Sequence, residues 1–262
     1  ESTQIAPHAW KAGPQTKLLH DKLHALEDGQ NVIMVAPPNP YRCPPGPYER
    51  VSMMAHVLKG KGFKNSQIIV LDPKPKFSKQ ALFQEGWAKH YPGMVEWYGP
   101  DVHGGIGAVD AKAGTVETDF DTFEGGLLNI IPGQQAGNIA SQAGLTDDSG
   151  FCPIDATSMR STVDDNIFVI GDACIAGAMP KSGFSANSQA KVAAMNVRFP
   201  HCMVSHINKR RGTIFAKRCA GEPCRNGAVK IYGKCESVRG ITPNWFSIFP
   251  VSKLITSNKI SS

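Results

Sequence analysis

Two cysteines sit next to prolines. Cys43 lies in RCPPGPYER at 42–50, and Cys152 precedes Pro153, after Gly150 and Phe151. A sulfur on so rigid a backbone is held in a fixed place, as thiol–disulfide chemistry needs. The plain alternative is a buried small hydrophobe, because cysteine is among the most buried residue types. The two are 109 residues apart and could meet as a disulfide, which spacing alone leaves open. Glu49 follows Cys43 by six residues, at the expected start of a helix. It either pairs with that helix N-terminus or accepts a proton from an attacking hydrosulfide or a cysteine S–H.

A second place for chemistry is the apolar run that ends in Gly171-Asp172-Ala173. A strand ending in Gly-Asp is a recurring flavoprotein signal. The glycine lets backbone approach a cofactor, and the aspartate accepts hydrogen bonds from ribityl hydroxyls. Residues 179–187 (MPKSGFSAN) then lead into a helix. Pro180, Lys181, Ser182 and Gly183 would place a helix N-terminus and a cation at the electron-rich N1/C2=O edge of a reduced flavin. An ordinary capped helix with a surface lysine is the simpler reading of the same residues.

The elements that must position these groups follow from periodicity. Residues 32–36 (VIMVA) and 67–72 (QIIVLD) are short continuous apolar runs, as buried parallel strands require. Between them, 48–59 carries Val51, Met54, Ala55 and Leu58 on one helical face, giving a βαβ unit. Helices are expected at 16–28, at 78–90 with Ser78 as N-cap, and at 185–198. Strands are expected at 94–98, 127–131 and 166–170, with a hairpin over 106–109 and 115–120. The fold class is α/β. A nucleotide-type domain over 31–125 is flanked by parts of a second domain at 1–30 and 126–198.

The first βαβ unit lacks the usual nucleotide grip. G-x-G-x-x-G should follow its first strand. Instead positions 37–47 hold six prolines, which remove the N–H donors a pyrophosphate uses. Asp72 ends the second strand where a ribose-binding acid would stand, and is read as a strand-terminal residue.

Composition sets the outer limits. With 262 residues and 41% hydrophobic content, the chain can bury a sizeable core as one large domain or two small ones. No apolar run approaches the length of a membrane-spanning helix. No Gly-x-Ser-x-Gly is present, which argues against a serine hydrolase, and the eight histidines form no metal-ligand spacing in residues 1–198. The net charge of +6 hides a break. Residues 1–198 hold 17 basic and 20 acidic side chains, whereas 199–262 hold 11 and 2, with four of the seven cysteines. A basic, cysteine-rich stretch without clean periodicity is what a shifted reading frame produces, so 199–262 is expected to be non-native or disordered. A zinc or nucleic-acid module there fits poorly, because the cysteine spacings are not C-x2-C and stacking aromatics are not interleaved.

Several stretches taken together resemble one family. PHAWKAGPQT (7–16), RCPPGPYER (42–50), FSKQALFQEGW (77–87), NIIPGQQAGNIA (129–140), AGLTD (143–147) and VIGDACIAGAMPKSGFSANSQAKVAA (169–194) are similar, in order, to the flavoprotein subunit of flavocytochrome c sulfide dehydrogenase. The resemblance implies a glutathione-reductase-like two-domain fold, FAD as cofactor, and oxidation of sulfide to sulfur. It also implies electron transfer to a c-type cytochrome in the periplasm. It pairs Cys43 with Cys152 as a redox-active disulfide, places Glu49 beside it, and sets Gly171 and Asp172 against the flavin. The family's glycine-rich FAD-binding βαβ unit and flavin-tethering cysteine find no match here, so an N-terminally truncated chain is expected, and the similarity stops near Arg198. Two other readings stay open: a sulfide:quinone oxidoreductase of the same superfamily, and a flavin-free, inactive fragment.

Overall fold

The computed structural model describes residues 2–198, 202–208, 213–219 and 254–256. The chain divides into two units, Glu1–Gln134 and Gln135–Ser262.

The first unit is built on a four-stranded parallel sheet whose strands lie in the order Val95–Tyr98, Ile68–Leu71, Val32–Val35, Leu127–Ile130. Helix α1 (Pro14–Ala25) precedes β1 (Val32–Val35), and α2 (Gly46–Gly60) crosses to β2 (Ile68–Leu71). Then α3 (Gln80–His90) leads to the edge strand β3 (Val95–Tyr98). Every residue of β1 is buried, which is why its sequence is apolar without alternation. Val51, Met54, Ala55 and Leu58 are the apolar residues α2 buries over its last three turns, the stripe its periodicity predicts.

A short helix α4 (Pro100–His103) leads to an antiparallel sheet of β4 (Ile106–Asp110), β5 (Thr115–Thr118) and β6 (Thr122–Glu124). Asp110 shapes the β4–β5 turn, its carboxylate accepting from the Lys112 and Ala113 amides at 2.9 Å. Strand β7 (Leu127–Ile130) then returns beside β1. The start of α3 departs from expectation. Lys79 is its N-cap, with φ 60°, and no side-chain cap bond forms. The Gln80 carboxamide instead reaches back to accept from the Phe77 amide at 3.4 Å, so Ser78 does not cap the helix.

Beneath the C-terminal end of β2 lies a buried polar cluster. Asp72 and Lys74 pair at 2.7 Å with almost no exposure. The same carboxylate accepts from Tyr48 Oη at 2.5 Å, Trp97 Nε1 at 3.0 Å and the Lys74 amide at 3.0 Å. Lys74 Nζ also donates to the Pro37 carbonyl at 2.5 Å, which ties the proline loop to β2. Asp72 is thus wholly engaged inside the unit and offers no acceptor to a ribose.

The second unit contains α5 (Asn138–Gln142), β8 (Cys152–Asp155), β9 (Arg160–Ser161), β10 (Phe168–Ile170), β11 (Cys174–Ile175) and α6 (Gly183–Arg198). Its sheet runs β11-β8-β9-β10 and ends on Leu254–Thr256, which pairs parallel to β10. A separate hairpin joins Cys202–Asn208 to Thr213–Cys219. The expected disorder of 199–262 otherwise falls outside the described residues. Phe151, Cys152, Val169, Ala173 and Cys174 share one apolar core with Ala136, Ala140 and Leu145. Cys152 lies in a strand, which the proline beside it did not suggest. It opens β8 and is buried, a strand too short and too proline-interrupted for alternation to show.

Candidate functional site

Cys43 occupies the tip of the proline loop with its backbone at φ 54°, a left-handed conformation that is uncommon outside glycine. The loop closes on itself through Gly46 N–H to Cys43 O at 2.8 Å and Tyr41 Oη–H to Pro44 O at 2.8 Å. Gly46 opens α2 in a tight space, where an added Cβ would lie 2.8 Å from the Trp10 ring and 3.2 Å from Cys43 Sγ. Absence of a side chain at 46 therefore lets sulfur and indole approach the helix N-terminus. Cys43 is exposed, and Glu49 is exposed in the first turn of the same helix. Both lie at the positive end of α2, which favours negative charge.

Trp10 is placed by residues distant in sequence. Arg50 donates to His8 O at 2.7 Å, Ala9 O at 2.5 Å and Asn129 Oδ1 at 3.2 Å, and its guanidinium stacks 4.9 Å from the Trp10 ring centroid. Asn129 donates in turn to Pro7 O at 2.6 Å. The Arg42 guanidinium bonds the Trp10 carbonyl, and its amide donates to Gln134 Oε1 at 3.1 Å. Three separate stretches, 7–10, 42–50 and 129–134, thus assemble around the Cys43 loop. Burial pulls Arg50 down to about 10. Trp10 Nε1 and Gln134 Nε2 are buried donors without an acceptor among the described residues. Sequence reasoning quoted these stretches but did not foresee that Arg50 and Asn129 join them.

In the second unit, Gly171 ends β10 with φ 72°, a turn that suits glycine. Its N–H donates to Gln189 Oε1 at 2.7 Å, which fixes the strand end to α6. Asp172 begins the tight turn that follows and is half-buried. Pro180 and Gly183 are exposed and Ser182 is half-buried on the approach to α6, where Ser182 Oγ accepts from the Ser185 amide at 3.2 Å. Nothing stands within 4 Å of a Cβ added at Gly183, so the helix N-terminus opens onto free space.

Lys181 points the other way. It is 8% exposed, donates to the Asp172 and Cys174 carbonyls at 2.9 and 2.7 Å, and lies 3.7 Å from the Phe151 ring centroid. The Gly171 turn and the open N-terminus of α6 fit the edge of a flavin ring in backbone terms. The Lys181 ammonium is spent on two carbonyls of its own unit.

Cys152 and Cys174 are both buried. Burial raises each thiol to about 11, while Lys181 pulls both the other way. The sign of the resulting pH dependence follows. An acid whose folded pKa is raised holds its proton where the unfolded chain has lost it. Stability from these thiols is therefore complete below the ordinary thiol range and falls as pH climbs from about 9 to about 11. We expect alkylation of Cys152 and Cys174 by iodoacetamide to stay slow at neutral pH and to accelerate across that window. Exposed Cys43 should react first, once any disulfide is reduced. Equal rates at the three sites at pH 7 would contradict this.

Cys43 belongs to the first unit and Cys152 to the second, and Glu49 shares its unit with Cys43 alone. Among the described residues, no group of three His, Cys, Asp or Glu could hold a metal ion, and no helix is long and apolar enough to cross a membrane.

Residues 16–132 match the family described as the central domain of the flavoprotein chain of flavocytochrome c sulfide dehydrogenase. The resemblance read from the sequence therefore holds over this span, which includes the Cys43 loop and Glu49. Among solved structures, a chain of the Tetrahymena thermophila mitochondrial ATP synthase is similar at 17% identity and TM-score 0.52, over 74% of this chain and 48% of that one. An FAD-dependent pyridine nucleotide-disulphide oxidoreductase from Desulfovibrio vulgaris is similar at 21% identity and TM-score 0.44, over 76% and 50%. An engineered water-forming NADPH oxidase is similar at 14% identity and TM-score 0.48, over 71% and 40%. The chain spans about half the length of the solved chains it matches. The first of these likenesses bears on fold alone, and the fold seen here is an α/β arrangement with a parallel sheet.

Proposed function

We propose that this chain carries the sulfide-oxidising part of an FAD-dependent sulfide dehydrogenase that delivers electrons to a c-type cytochrome in the periplasm. The observation that supports this most is the family match over 16–132, because it covers the loop that presents Cys43 at a helix N-terminus. A disulfide between Cys43 and Cys152 is the proposed resting form, which an oxidising compartment maintains.

The chain's own residues then divide the work. Hydrosulfide attacks one sulfur of the Cys43–Cys152 bond, which breaks. One cysteine becomes a persulfide and the other leaves as thiolate. The hydrosulfide proton goes to Glu49, an exposed carboxylate at the start of α2. The α2 N-terminus favours the negative charge if Cys43 is the sulfur released. Gly171, Asp172, Pro180, Ser182 and Gly183 would hold the flavin along the turn and the α6 N-terminus, with Lys181 bracing that turn from behind. FAD, when bound, supplies a two-electron acceptor that can pass electrons singly to a haem partner.

The test is an anaerobic sulfide titration of the FAD-loaded protein, followed at the visible flavin band. Sulfide should bleach the band, and Cys43→Ser and Cys152→Ser should each abolish the fast phase. Glu49→Gln should slow it by about 10²-fold, with the pH profile shifted. Bleaching at the same rate in both cysteine variants would overturn the reading.

A further inference from the structure

Cys174 lies on the strand beside that of Cys152. The two are direct partners in the parallel pairing of β11 with β8, Cys174 opposite Cys152 and Ile175 opposite Pro153. Adjacent strands lie about 4.8 Å apart, within the roughly 4.4–6.8 Å between Cα atoms that a disulfide spans. Partners in such a pair project to the same face, and both cysteines belong to one apolar core. Neither is in a disulfide. Cys174 Sγ is held by donation to the Gly171 carbonyl at 3.2 Å.

The surroundings are unusual for two inert core thiols. The Lys181 ammonium reaches this apolar pocket and bonds the Cys174 carbonyl at 2.7 Å. It lies over Phe151, the residue preceding Cys152. A buried cation beside two sulfurs stabilises a thiolate on either, and the thiolate is the form that attacks a disulfide. Burial opposes that ionisation, so exchange here is slow at neutral pH and is favoured by alkali.

We propose that Cys174 is an exchange partner of Cys152, forming a Cys152–Cys174 disulfide within the second unit. Two balanced routes lead to it. Where the Cys43–Cys152 bond of the proposed function exists, the Cys174 thiolate attacks Cys152 Sγ. The Cys43–Cys152 bond breaks, and Cys43 leaves as thiolate and takes up the proton Cys174 gave to solvent. One disulfide and one thiol enter, and one of each leaves. Where Cys152 is a thiol, a low-molecular-weight disulfide oxidises the pair and departs as two thiols. The first route rests on the proposed function and gives a form in which Cys43 is released at the surface while Cys152 is shielded. The second stands without it.

The experiment uses Cys43→Ser, so that failure of the sulfide mechanism cannot affect the result. Reduced protein is equilibrated anaerobically with glutathione disulfide at pH 8.5, quenched in acid, alkylated, and digested with trypsin without reduction. Arg160 separates the two cysteines in sequence, so a linkage joins two tryptic peptides. The expected product is the joined pair, lighter by two hydrogens than its parts. In Cys43→Ser/Cys174→Ser, Cys152 should instead carry glutathione. Lys181→Met should move linkage to higher pH, a shift that loss of packing alone does not give. Should Cys43→Ser fold poorly by circular dichroism, wild-type protein reduced and alkylated at exposed Cys43 replaces it. Recovery of Cys152 and Cys174 unlinked, whether reduced or each bound to glutathione, overturns the proposal.

Discussion

Asp72→Ala is expected to destabilise the first unit by about 3–5 kcal/mol, the usual loss when one member of a buried ion pair is removed. Lys74 would keep its charge beneath β2 with almost no exposure. Tyr48 Oη and Trp97 Nε1 would each lose the acceptor they now have at 2.5 and 3.0 Å. A buried donor left unmatched costs about 1–3 kcal/mol, so the cluster fails as a unit. Thermal unfolding should begin roughly 10 °C lower. Asp72→Asn keeps the shape and one acceptor oxygen, and should fall between the two. A change of under about 1 kcal/mol in Asp72→Ala would mean that the cluster is solvated in solution.

Arg50→Ala should produce the second large effect. Its guanidinium joins α2 to two carbonyls of the 7–10 segment and to Asn129 on β7. Hydrogen bonds to a charged group contribute about 1.5–3 kcal/mol each. Relaxation of an N-terminal segment recovers part of that, so the expected net loss is about 3 kcal/mol. The specific sign is local. Trp10 should leave the Cys43 loop, so its fluorescence shifts to the red and protease cleavage near Lys11 speeds up. Comparison with Trp10→Phe separates this emission from that of the other tryptophans. An unchanged spectrum would show that Trp10 is held by other contacts.

These effects mark which parts of the molecule were legible in the sequence. The parallel sheet was, because β1 and β2 are apolar without interruption and α2 buries Val51, Met54, Ala55 and Leu58 as its period requires. The hairpin of β4 and β5 was legible from its turn residues. Strands β8, β9 and β11 were not, since two to four residues carry no period and Pro153 argues against a strand. Ser78 failed as a cap because the chain enters α3 through a left-handed Lys79.

At the candidate site, sequence could nominate Cys43, Glu49, Gly171 and Asp172 by type and place. Environment is another matter. The inward turn of Lys181 follows from the geometry of the Gly171 turn, which brings the Asp172 and Cys174 carbonyls within its reach. Cys174 lay within a quoted stretch, yet only the strand register sets it opposite Cys152. Contacts between short elements depend on pairing, and pairing leaves no periodic trace.

Everything proposed for the sulfide chemistry depends on Cys43 and Cys152 forming the resting disulfide. Its most direct test is peptide mapping of the protein purified without reductant, alkylated at low pH and digested unreduced. One dominant linked product is expected, joining the peptide of Cys43 to that of Cys152 and lost on mild reduction. Recovery of Cys43 and Cys152 both as alkylated thiols would contradict it.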